Sequence, residues 1–137
     1  MTPSTSDPSS GPAADPEAWD AFVASSEPGS YLQSSGWAAV KAVNGWSATR
    51  SSVESPGGRI GAQILLRRPS AMPWAFAYAP RGPVASEWTP AGLSAFTDHV
   101  RRDLPRRAGR VATLRIDPEI EIDGPQDAEG AVRRASR

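Results

Sequence analysis

The sequence predicts an α+β fold in which helices flank a mixed, mainly antiparallel sheet. Apolar residues recur at helical spacing before residue 45 and again after residue 89, whereas residues 46–79 alternate as strands do. The connections between the first three strands are short, which is typical of an antiparallel meander. A late helix and a last strand complete the predicted order α-α-β-β-β-α-β.

The first predicted helix has a clear start. Asp15 suits the capping position and Pro16 the first helical position. Its apolar stripe consists of Trp19, Phe22 and Val23.

The second predicted helix begins at Ser34 or Ser35 and ends at Asn44, before Gly45. Four residues share one of its faces, namely Trp37, Val40, Lys41 and Asn44.

Three strands are predicted at residues 46–54, 59–68 and 74–79. Residues 55–58 form the turn between the first two, and the proline-containing segment 69–73 separates the second from the third. The last helix starts with Thr89 as its cap, and Pro105 is expected to kink or end it. Its buried stripe is Leu93, Phe96, Val100 and Leu104, and a strand follows at residues 111–116.

The organisation along the chain predicts one domain over residues 15–120. Residues 1–14 are rich in Ser and Pro and are predicted to be a disordered tail. Residues 121–137 are predicted to be a tail that ends in a truncated helix. No secretory signal and no apolar run of membrane-spanning length is visible, so we expect a cytoplasmic location.

Composition excludes several classes of site. The chain has no cysteine and one histidine, His99, which argues against thiolate metal sites and a Ser-His-Asp relay. The net charge of zero is unevenly distributed, because residues 41–116 hold twelve bases and four acids, a net +8. This middle region is therefore suited to an anionic ligand.

Three charged features each have two interpretations. Lys41 is either a surface lysine whose stem covers an aromatic ring or an ammonium that holds a phosphate. The alternating acids Asp117, Glu119, Glu121 and Asp123 suit a hard cation, but we favour a solvated acidic loop. For the arginines we favour a solvated helix face over a tRNA or membrane contact; they are Arg101, Arg102, Arg106, Arg107 and Arg110.

Four segments in order resemble the opening of the FemABX aminoacyltransferases. They are SYLQSSGWAAVKAVNGW at 30–46, GAQILLRR at 61–68, AYAPRGPV at 77–84 and LRIDPEI at 114–120. The resemblance covers about residues 16–120.

The resemblance implies a partial GNAT-like domain and a cell-wall reaction. Family members move an amino acid from aminoacyl-tRNA to the stem peptide of a UDP-linked or lipid-linked peptidoglycan precursor, with no metal or cofactor. Lys41 would contact the precursor phosphates with Trp37 as its support, and Tyr78 and Arg81 would line the cleft. For Arg81 an alternative is that it only pins the turn.

The resemblance also sets the expected partners. They are the precursor, a peripheral contact with the inner membrane face, and aminoacyl-tRNA once a second domain is supplied; no DNA is expected. Because that second domain lies outside the sequence, whether this chain is itself an enzyme is left open, and little turnover is expected. The acid that often follows the G-P-V segment in the family is replaced by Ala85 and Ser86, with Glu87 as a shifted substitute. Two alternatives to the aminoacyltransferase function are left open. The chain is either a non-catalytic module that binds a nucleotide-sugar or another anion, or a non-functional gene fragment.

Overall fold

The structure is a computed structural model that describes residues 15–26, 29–55 and 58–119. It confirms a mixed α+β fold with one sheet. The helices are α1 (Pro16–Ser25), α2 (Ser35–Ala42) and α3 (Pro90–Ala108), and a single 3-10 turn (Tyr31–Gln33) precedes α2. The strands are β1 (Ser47–Ser55), β2 (Gly58–Arg67), β3 (Ala75–Ala79), β4 (Val84–Ala85) and β5 (Val111–Ile116).

The sheet confirms the predicted meander. β1 pairs with β2 and β2 pairs with β3, both antiparallel, while β5 pairs in parallel with β3 after the α3 crossover. The short strand β4 also pairs with β2 and was not predicted, because two residues carry no periodicity. The two predicted tails lie outside the described residues, and the predicted domain boundaries stay predictions.

Helices cover both faces of the sheet. Alternate residues of β2 and β3, including Ile60, Ile64 and Ala77, pack with Phe96 of α3 in the main core. On the opposite face a smaller core joins Trp19, Phe22 and Val23 of α1 to Val84 of β4. The N-terminal segment therefore lies on the face that α3 leaves open.

Each helix starts with a side chain that caps it, as predicted at Asp15 and Thr89. The Asp15 carboxylate accepts a hydrogen bond from the Glu17 amide at 3.0 Å, and the Ser34 hydroxyl accepts one from the Trp37 amide at 3.2 Å. The Thr89 hydroxyl likewise accepts from the Gly92 amide at 2.9 Å.

Pro105 was expected to kink or end α3, and the second of these alternatives is wrong. The helix continues through Pro105 to Ala108 and ends at Gly109, whose φ is +71°. Pro105 lies in the last turn, so its missing N–H removes only one hydrogen bond. This bond lies near the C-terminal end of the helix, where the last carbonyls have no partner within the helix in any case. No helix in the described part of the chain combines the length and apolar character needed to cross a bilayer.

Candidate functional site

Lys41 and Trp37 lie together on α2, as their spacing predicts. The Lys41 ammonium is 5.1 Å from the centre of the Trp37 ring, within cation–π range. The Trp37 and Tyr31 rings pack in a T-shaped arrangement, with 6.0 Å between their centroids. Both interpretations of Lys41 remain open with this geometry, because the ammonium lies over the indole and Lys41 is partly exposed.

Tyr78 and Arg81 lie where β3 ends, and Asp117 holds both. The Tyr78 hydroxyl donates to one Asp117 carboxylate oxygen at 2.9 Å, and the Arg81 amide donates to the other at 2.6 Å. Arg81 has φ of +55°, a left-handed conformation that costs energy for a residue other than glycine. Asp117 therefore stabilises a strained turn.

The Arg81 side chain has a partner of its own. Its guanidinium lies 3.3 Å from a Glu119 carboxylate oxygen, and both side chains are about half exposed. A precursor phosphate would have to compete with Glu119 for this guanidinium. The structure thus supports a role of Arg81 in the turn and leaves its role toward a ligand a prediction.

The environment of Tyr78 raises the pKa of its phenol above the ordinary value. Burial is the largest cause, because it disfavours the charged phenolate, and the hydrogen bond and negative charge of Asp117 add to it. Arg115 and Arg81 act in the opposite direction. The phenol is therefore held in its protonated, donating form.

The interpretation of the acidic run as a solvated loop was wrong for Asp117. This residue is half-buried and accepts two hydrogen bonds, and Glu119 forms an ion pair. Glu121 and Asp123 lie outside the described residues. Within the described residues no group of His, Asp and Glu side chains is arranged to hold a metal ion.

A buried glutamine that the sequence reading missed connects the two halves of the candidate site. Gln33 accepts a hydrogen bond from the Gln63 amide at 2.7 Å and donates to the carbonyls of Gln63 and Pro80 at 3.1 and 2.8 Å. Its own carbonyl accepts from the Trp19 indole at 2.7 Å. The motif "YLQS" contained this residue, but nothing local distinguishes a buried glutamine from an exposed one.

Strand register explains why Gln33 occupies this place. Tyr78 of β3 pairs with Leu65, and Val84 of β4 pairs with Gly61, so the intervening chain leaves the ladder opposite Gln63. The Gln33 carboxamide fills that gap and supplies the missing backbone partner. A Cβ on Gly82 would lie 2.8 Å from the Gln33 amide, which explains a glycine there.

Two further arginines share the sheet face of Tyr78. Arg115 pairs with Tyr78 across β5 and β3, and its guanidinium lies 5.7 Å from the Tyr78 ring centre. Arg67 pairs with Phe76, and its guanidinium lies 5.7 Å from the Trp46 ring centre. Paired residues project to the same face, so the register adds cations that the motifs did not indicate.

The two predicted pairs are not joined by any polar contact among the described residues. In the described ranges no hydrogen bond or ion pair links Lys41 to Tyr78 or Arg81, and Gln33 is the structural link between their elements. A groove of about 410 Å³ lies elsewhere, between α3 and β5, and none of the four predicted residues lines it. The five arginines of α3 and its end are exposed, as the solvated interpretation predicts.

Comparison with known protein families assigns the chain to one of them. The model of the FemAB family matches residues 15–135, which is most of the chain. The chain therefore belongs to the FemAB family, and the resemblance found in its motifs is confirmed.

Individual relatives agree with this assignment. The chain is 34% identical over 110 residues to proteins named lipid II:glycine glycyltransferase from Staphylococcus aureus strains MRSA252 and USA300, which covers 80% of the chain and 26% of each relative. A solved structure, the crystal structure of FemX, matches with a TM-score of 0.68 and 28% identity over 88% of this chain and 30% of that one. The chain thus spans about a quarter of the length of the curated relatives it matches.

Proposed function

We propose that this chain forms part of a GNAT-like aminoacyltransferase domain that acts on a peptidoglycan precursor. The proposed reaction takes place in the cytoplasm and moves an amino acid from aminoacyl-tRNA to the stem peptide. Its support is membership of the FemAB family and the name of the relatives that share 34% identity.

Precursor recognition is the part of the reaction that the described residues can perform. The observation that carries it is the Lys41 ammonium over the Trp37 ring, a cation held in place by an aromatic neighbour. A fixed ammonium suits a diphosphate because it loses little conformational freedom on binding. Tyr78 and Arg81, held by Asp117, would line the cleft on the same side of the sheet.

The chemistry of transfer requires little beyond orientation. The acceptor amine attacks the ester carbonyl of aminoacyl-tRNA, a tetrahedral oxyanion forms, and the tRNA hydroxyl leaves. Positioning of the two substrates and stabilisation of the oxyanion supply most of the acceleration in such reactions. The proposed reaction needs no metal or small cofactor.

Calorimetry with a UDP-linked precursor tests the recognition step. We expect binding by the unaltered chain and ~10- to 100-fold weaker binding by Lys41→Ala, because a charge-assisted contact to phosphate is lost. Arg102→Ala, which removes an exposed cation of α3, is the matched control and should bind normally. Equal affinity of Lys41→Ala and the unaltered chain would refute the proposal.

A further inference from the structure

The outer side of α2 exposes apolar side chains. Val43 is 86% exposed and Val40 47%, and no residue of α2 is buried. At ~100° per residue, Val43, Val40 and Trp37 lie on one continuous arc of the helix surface. Adjacent exposed valines beside an indole suggest a contact surface.

Lys41 lies next to this arc on the helix surface, and Arg67 lies over the indole of Trp46, which follows α2. Lys41 lies over Trp37, and Arg67 lies 5.7 Å from the Trp46 ring centre. The Trp46 amide donates to the Lys41 carbonyl at 3.2 Å, which joins the two cation–indole pairs. Among the described residues neither Lys41 nor Arg67 forms an ion pair with a carboxylate, so both charges are available to an anionic partner.

We propose that this α2 surface, made of Trp37, Val40, Lys41, Val43, Trp46 and Arg67, docks on an anionic lipid bilayer. The inference rests on the proposed function, because docking here selects the lipid-linked form of the precursor over the UDP-linked form. Lys41 would then meet the precursor's diphosphate at the depth of the lipid phosphates.

The composition of the surface fits the boundary between lipid and water. Indole rings prefer the headgroup level, and valines inserted just below it leave water without crossing the bilayer. Lys41 and Arg67 are attracted to acidic headgroups. A second copy of the chain fits less well, because a symmetric contact would bring these cations toward their own counterparts.

Vesicle co-sedimentation tests the proposal. The unaltered chain should bind phosphatidylglycerol vesicles more tightly than phosphatidylcholine vesicles, and added salt should weaken this binding because the attraction is electrostatic. The double variant Val40→Ser/Val43→Ser should bind ~10-fold more weakly, because two aliphatic side chains no longer leave water.

Ile116→Ser is the matched control for lost apolar exposure. Ile116 is 40% exposed and pairs with Ala79, which packs in the α3 core on the opposite face of the sheet. This variant should bind vesicles as the unaltered chain does. Equal binding by the double variant, or no preference for acidic vesicles, overturns the proposal, as does self-association that the double variant abolishes.

The two binding experiments distinguish a failure of the docking proposal from a failure of the proposed function. The double variant retains Lys41 and Trp37, so its affinity for a soluble UDP-linked precursor should be unchanged. If that precursor binds in a Lys41-dependent manner while vesicles do not bind, only the docking surface is wrong. If vesicles bind through Val40 and Val43 while the precursor does not, the docking surface stands and the proposed function is wrong.

Discussion

Asp117 receives two hydrogen bonds from the segment that ends β3, and this makes it the residue on which the shape of the Tyr78–Arg81 turn depends. One bond fixes a side chain, the Tyr78 phenol, and the other fixes a strained backbone amide, that of Arg81. Loss of the carboxylate would therefore change both the titration of Tyr78 and the conformation of the turn.

The titration of Tyr78 should report this arrangement. Its raised pKa means that the folded state favours the protonated phenol, so the associated stability is present below the ordinary pKa of about 10 and is lost as the pH rises through the folded value. We expect Asp117→Asn to lower the pKa of Tyr78, because a neutral amide stabilises the protonated phenol less than a carboxylate does. Tyrosinate absorbance in the near ultraviolet measures the shift.

The chain has only two tyrosines, which simplifies this measurement. In a Tyr31→Phe background the only phenol left to titrate is that of Tyr78. Circular dichroism at each pH separates titration from unfolding. An unchanged midpoint in Asp117→Asn would mean that the carboxylate does not influence the phenol.

For single residues, the sequence predicted contacts between neighbours in the chain and missed contacts between residues that are far apart in the chain. The spacing of Trp37 and Lys41 predicted that they share one helix face, and in the structure the Lys41 ammonium lies 5.1 Å from the centre of the Trp37 ring. Asp117 seemed part of a solvated run because its partners are 36 and 39 residues away in the chain. The face shared by Arg67, Tyr78 and Arg115 follows from strand register, which single residues do not determine.

The 3-10 turn before α2 is the element that joins the N-terminal segment to the sheet. Its last residue, Gln33, is fully buried and substitutes for backbone in the gap between β3 and β4. The positions of α2 and of the 80–83 turn are therefore coupled through one carboxamide.

Replacing this carboxamide should be costly. Gln33→Met has a similar volume but leaves the Gln63 amide and the carbonyls of Gln63 and Pro80 without their partner, so we expect the free energy of unfolding to fall by ~3 kcal/mol. Urea denaturation measures the change. Asn44→Met, at an exposed position beyond α2, should stay within ~0.5 kcal/mol of the unaltered chain.

If Gln33→Met lowers the free energy of unfolding no more than Asn44→Met does, water or a local shift of the chain must replace the lost carboxamide. In that case the coupling of α2 to the 80–83 turn would need another cause.

Elements were predictable where their signals lie within a few residues. The predicted caps Asp15 and Thr89 are confirmed, and each bonds an amide two or three residues away. The alternative that Pro105 ends the helix was wrong, because the cost of a proline depends on its distance from the helix end, which is set here by Gly109. The strand β4 was missed because its only cause is a pairing with β2.

At the scale of the whole molecule, β2 is the centre of the sheet. β1 pairs along nearly its whole length, and β3 and β4 share its other edge with the Gln33 side chain between them. β2 also supplies residues to both faces, with Ile64 toward α3 and Gln63 toward the N-terminal segment. The predicted meander already places β2 between its two neighbours in the chain. The sequence did not predict that β4 and the Gln33 side chain share the second edge of β2, because these pairings join segments that are distant in the chain.

Amide hydrogen exchange should reveal the centre of the sheet directly. Leu65 lies in buried backbone that pairs with both β1 and β3, and Ile64 lies in buried backbone paired with β1, so both amides should exchange only on global unfolding. Amides of β5 should exchange faster, because within the described residues β5 pairs only with β3 and its side chains are largely exposed. Equal protection of β5 and β2 would mean that another surface covers β5 in solution, and the contrast between the two strands therefore tests the whole architecture.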